Sequence, residues 1–192
     1  LTDNVSDFRK SFNKMVGHCV KLYFKSLVPN LSSNYETCLK KQTVQFAHLS
    51  NIVALKGGLI KKEQFLSADM ADIFSNLYLS YAIIWYENCN QISHILTKYC
   101  VERLLNENKV IMNRVISNMN YKFLLFHMRS KAKDKSYNNN TEIINEVLKN
   151  NKIMNSIKED LYIDGTILEE LNSLNHYEKD SKEYKDLYNK VI

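Results

Sequence analysis

Apolar residues recur along most of this chain at intervals of three and four, the period of an amphipathic helix. The first such segment runs from about Asp7 to Val28. Ser6 is its expected N-cap and Pro29 its stop. Phe8, Phe12, Met15, Val16, Cys19, Leu22, Tyr23 and Leu27 share one face. Lys10, Lys14, Lys21 and Lys25 fall within an arc of about 60° on the other side, which makes this a basic amphipathic helix.

A second segment spans about Asn34 to Lys56, with Leu39, Phe46, Leu49 and Val53 on a stripe, and Gly57-Gly58 supplies its break. A third spans about Lys61 to Asn88. It carries one stripe of Leu66, Met70, Ile73, Leu77 and Ile84, and a neighbouring one of Phe74, Tyr78, Ala82 and Trp85. So wide an apolar arc predicts the central member of a bundle. The fourth spans about Ile92 to Met119, with Leu96, Cys100, Leu104, Ile111 and Val115 in register. A polar, basic stretch from Arg129 to Asn140 reads as an exposed loop. Shorter helices are expected from Thr141 to Asn150 and from Thr166 to Leu174.

These patterns predict an all-α fold. Residues 1–176 form an antiparallel four-helix-bundle-like domain with shorter C-terminal helices, and residues 177–192 form a weakly patterned acidic tail. The third and fourth helices should pair most tightly, because only a short polar turn near Cys89 to Gln91 separates them.

Composition narrows the chemistry. With 4 Gly and 1 Pro in 192 residues, the chain lacks the turn residues of β-rich folds and the Gly-rich loops that cradle phosphates. The cysteines Cys19, Cys38, Cys89 and Cys100 form no short cluster and read as reduced thiols of an intracellular protein. The longest apolar run, around Tyr78 to Tyr86, is far below the roughly 20 residues of a membrane span. The first residue is Leu1 rather than Met, as in a fragment excised from a longer chain.

Charge is unevenly spread. From Lys158 onward 5 Lys face 9 Asp and Glu, or −4; the total of +5 therefore leaves +9 on the first 157 residues. The basic residues are not interleaved with aromatics as nucleic-acid surfaces require, so no nucleic acid is expected. An anionic membrane surface or an acidic helix suits the first helix better, and a solvated lysine face on a bundle helix suits it equally.

Catalytic and metal patterns are sparse. His18, His48, His94, His127 and His176 form no H-E-x-x-H or H-x3-H pair, and no metal site is expected. Asp69 and Asp72 lie three apart on the third helix, where they serve either acid–base chemistry or ion pairs to a neighbouring helix.

One stretch carries more. Residues 62–78 read K-E-Q-F-L-S-A-D-M-A-D-I-F-S-N-L-Y. This resembles the segment E-Q-F-L-x-x-R-L-A-D-x(4)-L-Y in the C-terminal helical domain of very-long-chain acyl-CoA dehydrogenases, matching at Glu63, Gln64, Phe65, Leu66, Ala71, Asp72, Leu77 and Tyr78. It is also similar to S-A-R-L-G-D-x-x-S-x-L-Y-L-x-S-A of the bacterial long-chain proteins, through Ser67, Ala68, Asp72, Ser75, Leu77, Tyr78, Leu79 and Ala82. Cys100-Val101-Glu102 resembles a C-I-E of the mitochondrial form, and residues 7–27 with Gly17-His18 resemble the stretch preceding this domain in the bacterial proteins. The resemblance covers most of residues 5–125. It departs from the family where Asp69 replaces an Arg.

The resemblance implies a non-catalytic C-terminal domain of an FAD-dependent long-chain or very-long-chain acyl-CoA dehydrogenase. Catalytic and flavin-binding residues would lie in an upstream dehydrogenase unit, so none is assigned here, and FAD belongs to the parent enzyme. The domain would support a homodimer and dock a membrane or partner, with Lys10, Lys14, Lys21 and Lys25 as contacts. Glu63, Gln64, Asp72, Leu77 and Tyr78 would form its structural motif, with Asp72 and Tyr78 as anchors. The location implied is mitochondrial, at the inner membrane. A stand-alone helical interaction scaffold without linked chemistry is the alternative; an unrelated helical enzyme working through Asp69 and Asp72 or His94 is a third reading.

Overall fold

In the computed structural model, four long helices precede shorter ones: α1 (Val5–Leu27), α2 (Tyr35–Ala54), α3 (Gln64–Asn90), α4 (His94–Asn118), α5 (Lys122–Leu125), α6 (Tyr137–Lys149), α7 (Asn151–Glu159), α8 (Ile167–Leu174) and α9 (Lys182–Val191). The structure describes residues 5–29, 32–120, 122–132, 137–159, 167–174, 176–179 and 181–191. Among these there is no strand, so the fold is all-α as expected.

The helix ends follow local chemistry. Asn34 caps α2 by accepting the Glu36 N–H at 2.7 Å, and Ser93 caps α4 by accepting the Leu96 N–H at 3.3 Å. Gly57 takes a left-handed φ of 56° where α2 gives way to a 3-10 turn (Gly57–Lys62), the break read from the glycine pair. α3 ends at Gln91, whose φ of 49° is also left-handed and whose N–H reaches the Glu87 carbonyl at 2.7 Å.

Contacts divide the chain into two compact units, residues 1–146 and 147–192. In the first, α3 and α4 form the most extensive helix pair, as their short connection requires. α2 lies against both. The core gathers Leu39, Leu49 and Val53 of α2, Ile73 and Leu77 of α3, and Val101, Leu105, Met112, Val115 and Ile116 of α4, closed by Leu125 and Met128.

The α4 face differs from the expected one by about one residue. Val101, Leu105 and Met112 are buried, whereas Leu96, Cys100, Leu104 and Ile111 lie at its edge. The reason is Asn108, a polar residue on the fully buried face. Its Oδ1 accepts from Asn76 Nδ2 at 3.0 Å, and its Nδ2 donates to the Ile73 carbonyl at 3.5 Å. A satisfied amide is tolerated where an apolar stripe alone would place Leu or Ile. On α2, buried Gln42 donates to the Leu105 carbonyl at 2.8 Å, while its Oε1 meets no partner among the described residues.

Other boundaries shift as well. α1 is already helical at Val5, so Ser6 lies in its first turn rather than capping it. α6 begins at Tyr137 and takes in Asn138 to Asn140, expected as loop; Lys133 and Lys135 of that basic stretch lie outside the described residues. In the second unit α9 occupies most of the weakly patterned tail. Tyr184 and Tyr188 stack at 6.0 Å there, and Lys190 pairs with Glu170 of α8. One turn of spacing brings the two tyrosines onto one face.

Candidate functional site

The expected central helix is only half covered. On α3 the Ile73–Leu77–Ser80 face is buried, but its neighbouring stripe is not. Phe74 is 59% exposed, and Tyr78 and Trp85 are each 67% exposed. This corrects the expectation that both stripes face the core. The reason is the position of α1, whose main contacts are with α2 and the 3-10 turn Phe126–Met128, so it leaves this side of α3 open.

α1 itself is held only by its C-terminal part. Every residue from Val5 to His18 is exposed, and burial begins at Cys19. Fourteen helical residues extend about 21 Å. The apolar face that packs through Leu22 and Tyr23 therefore continues outward through Phe12 and Phe8, the latter 70% exposed. Lys10, Lys14, Lys21 and Lys25 are all exposed on the other side.

A small polar seat holds the packed end. Ser26 is buried and donates its hydroxyl to the Tyr23 carbonyl at 2.6 Å. Its one proton is thereby committed, so the 2.7 Å contact with His127 Nε2 has the imidazole donating. A serine nucleophile needs the opposite polarity, with the imidazole accepting. This pair is a fastener rather than a catalytic dyad. Lys41 of α2 donates to the carbonyls of Lys25, Ser26 and Val28, the last of these closest, and so caps the C-terminal end of α1. The rings of Tyr23, His48 and His127 meet with centroids 5.2 to 6.1 Å apart.

Burial sets the protonation of this seat. Desolvation pulls His48 below the ordinary histidine value, partly offset by the Leu124 backbone. Neither His48 ring nitrogen has a partner at full hydrogen-bond geometry. His127 is lowered first by desolvation, then by His48 and Lys41. Desolvation also lowers Lys41. Sequence reasoning passed over this cluster because its members lie on three separated segments.

The motif residues are split between core and surface. Leu77 is buried. Glu63 pairs with Lys56 at 2.6 Å and so ties the 3-10 turn to the start of α3. Gln64 and Asp72 are exposed, as is Tyr78. Asp69 takes the ion-pair role: Arg114 of α4 donates to it through Nε at 2.9 Å and Nη2 at 2.5 Å. Those bonds, then the charges of Asp69 and Asp72, raise the Arg114 guanidinium further. Val101 of the second matching stretch is in the core.

A cleft of about 620 Å³ opens beside this pair, lined by Glu63, Phe65, Asp69, Arg114 and Asn118 among others. Of its charged groups Glu63 pairs with Lys56 and Asp69 with Arg114, and Lys62 also lines the opening. His94 meets the Tyr35 hydroxyl at 3.4 Å on the opposite helix-end side, far in sequence from Asp69 and Asp72. Among the described residues no three His, Cys, Asp or Glu side chains form a metal-holding group, and no helix is long and apolar enough to cross a membrane.

The family model for the acyl-CoA dehydrogenase C-terminal domain, bacterial type, matches residues 2–192. Neither the curated proteins nor the solved structures contain a match to the chain.

Proposed function

Because the chain belongs to the family of bacterial-type acyl-CoA dehydrogenase C-terminal domains, we propose that it is the docking and dimer-supporting end of a long-chain or very-long-chain enzyme. Membership implies a non-catalytic helical domain whose parent uses FAD to oxidise an acyl-CoA. The observation that carries the docking role is the exposure of α1 from Val5 to His18, with apolar and lysine faces both open to solvent. Solvated bundle helices expose their polar face only. A helix that exposes both faces is free to meet an interface.

In this reading Lys10, Lys14, Lys21 and Lys25 meet an anionic membrane, for which the resemblance suggests the mitochondrial inner membrane. The parent's flavin and catalytic base belong to the upstream dehydrogenase unit. Isolating the native polypeptide that carries this sequence tests the assignment. A longer chain with flavin fluorescence is expected. A flavin-free polypeptide limited to these helices would instead favour the stand-alone scaffold.

A further inference from the structure

We propose that two copies of this chain exchange their first helices, the overhanging apolar face of α1 from one copy lying on the open aromatic stripe of α3 of the other. The proposal rests on the dimer-supporting reading above and gives it a surface.

The two faces belong to one chain but cannot meet within it. α2 stands between them. Its Lys41 and His48 side holds α1, and its Thr43 and Phe46 side meets α3 through Tyr81 and Phe74. Those sides lie roughly 150° apart by the helical period. The α1 overhang also points its free apolar residues along the same face that the seat already occupies, so no rotation of α1 brings them to α3 without breaking the Ser26–His127 fastener.

Area favours this occupant, and charge disfavours a lipid one. α1 carries Arg9, Lys10, Lys14, Lys21 and Lys25 against Asp7, or 5 − 1 = +4. α3 carries Asp69, Asp72 and Glu87 with no Lys or Arg, or −3. An anionic lipid surface would want cations around the α3 stripe, and there are none on that helix. The apolar face of α1 is the complementary partner, its lysines lying on the opposite side. By the usual burial of aromatic side chains, the exposed parts of Phe74, Tyr78, Tyr81 and Trp85 offer on the order of 450 Å². The α1 overhang offers a similar amount. Each copy contributes one face of each kind, about 900 Å² in all, close to the ~800 Å² per partner of a stable interface. Because each copy gives α1 and receives α1, the contact closes as a two-fold dimer and does not propagate into fibres. The lysine face stays outward, free for a surface.

Sedimentation velocity on the 192-residue chain tests this. A dimer is expected, and two surface variants separate the possibilities. Phe8→Asp with Phe12→Asp, and separately Tyr78→Asp with Trp85→Asp, change exposed residues and should keep the helical circular dichroism. Each pair should weaken dimerisation about 100-fold or more, the scale of losing a hot spot. Mixing the two variants should restore part of the dimer, because one intact α1-on-α3 contact survives. A dimer that withstands either pair overturns this contact but leaves dimer support standing. A chain that stays monomeric overturns both. A monomer that sediments with anionic vesicles through Tyr78 and Trp85 assigns the stripe to lipid and overturns the exchange.

Discussion

His127 Nε2 lies 2.7 Å from Ser26 Oγ, a contact between residues 101 positions apart that fastens α1 to the body of the bundle. Its partners His48 and Lys41 are also held below their ordinary pKa values by burial. A histidine depressed in the folded state stays neutral there while the unfolded chain takes up a proton. Stability is then full above the unfolded value of about 6.5 and falls as pH drops through it toward the folded value. Thermal melts should therefore show a lower Tm at pH 5.5 than at pH 7.5. His127→Gln keeps a donor to Ser26 and should flatten that dependence. An unchanged pH profile in this variant would show that His127 does not carry the dependence.

Asn108 predicts a large cost of substitution. It is fully buried and pairs with Asn76 and the Ile73 carbonyl. Asn108→Ala removes two hydrogen bonds, orphans the Asn76 amide and leaves a cavity, which together cost about 2–4 kcal/mol. Urea denaturation should show the loss as a lower midpoint. Asn106→Ala, on the same helix but only half buried, should cost much less.

Gln91 predicts a gain. Its left-handed φ of 49° closes α3, a conformation that a Cβ penalises and glycine does not. Gln91→Gly should raise stability by about 0.5–1 kcal/mol in the same denaturation measurement. Gln91→Val should lower it.

The lysine face predicts salt-sensitive binding. Vesicles with anionic lipid should bind the chain at low salt, with each surface lysine contributing about 1 kcal/mol. Raising salt to 1 M shortens the Debye length to about 3 Å and should release it. Replacing Lys10, Lys14, Lys21 and Lys25 by Gln should abolish binding at any salt. Binding that persists in that variant assigns the contact elsewhere.

The long helices were legible because their apolar period survives in sequence, and the α3–α4 pairing followed from a connection too short for anything else. What the sequence hid is which part of each apolar arc is used. Phe74, Tyr78 and Trp85 look like core because residue type records hydrophobicity and not the presence of a neighbour. Only the placement of α1 on the far side of α2 reveals them as surface. Asn108 hid the opposite way, since a buried amide looks like a surface residue until its partners on α3 are known. The Ser26, His48 and His127 seat was illegible for a third reason. Three helices bring it together, and no spacing within one segment marks it. Asp69 was legible in part: its ion-pair reading required a cation on a neighbouring helix, and Arg114 supplies it.

The most direct test removes this domain from the parent enzyme. The account predicts that the truncated dehydrogenase still binds flavin and oxidises soluble acyl-CoA but no longer sediments with anionic vesicles. A truncated enzyme that loses its flavin or its chemistry, or that sediments as before, would contradict the account.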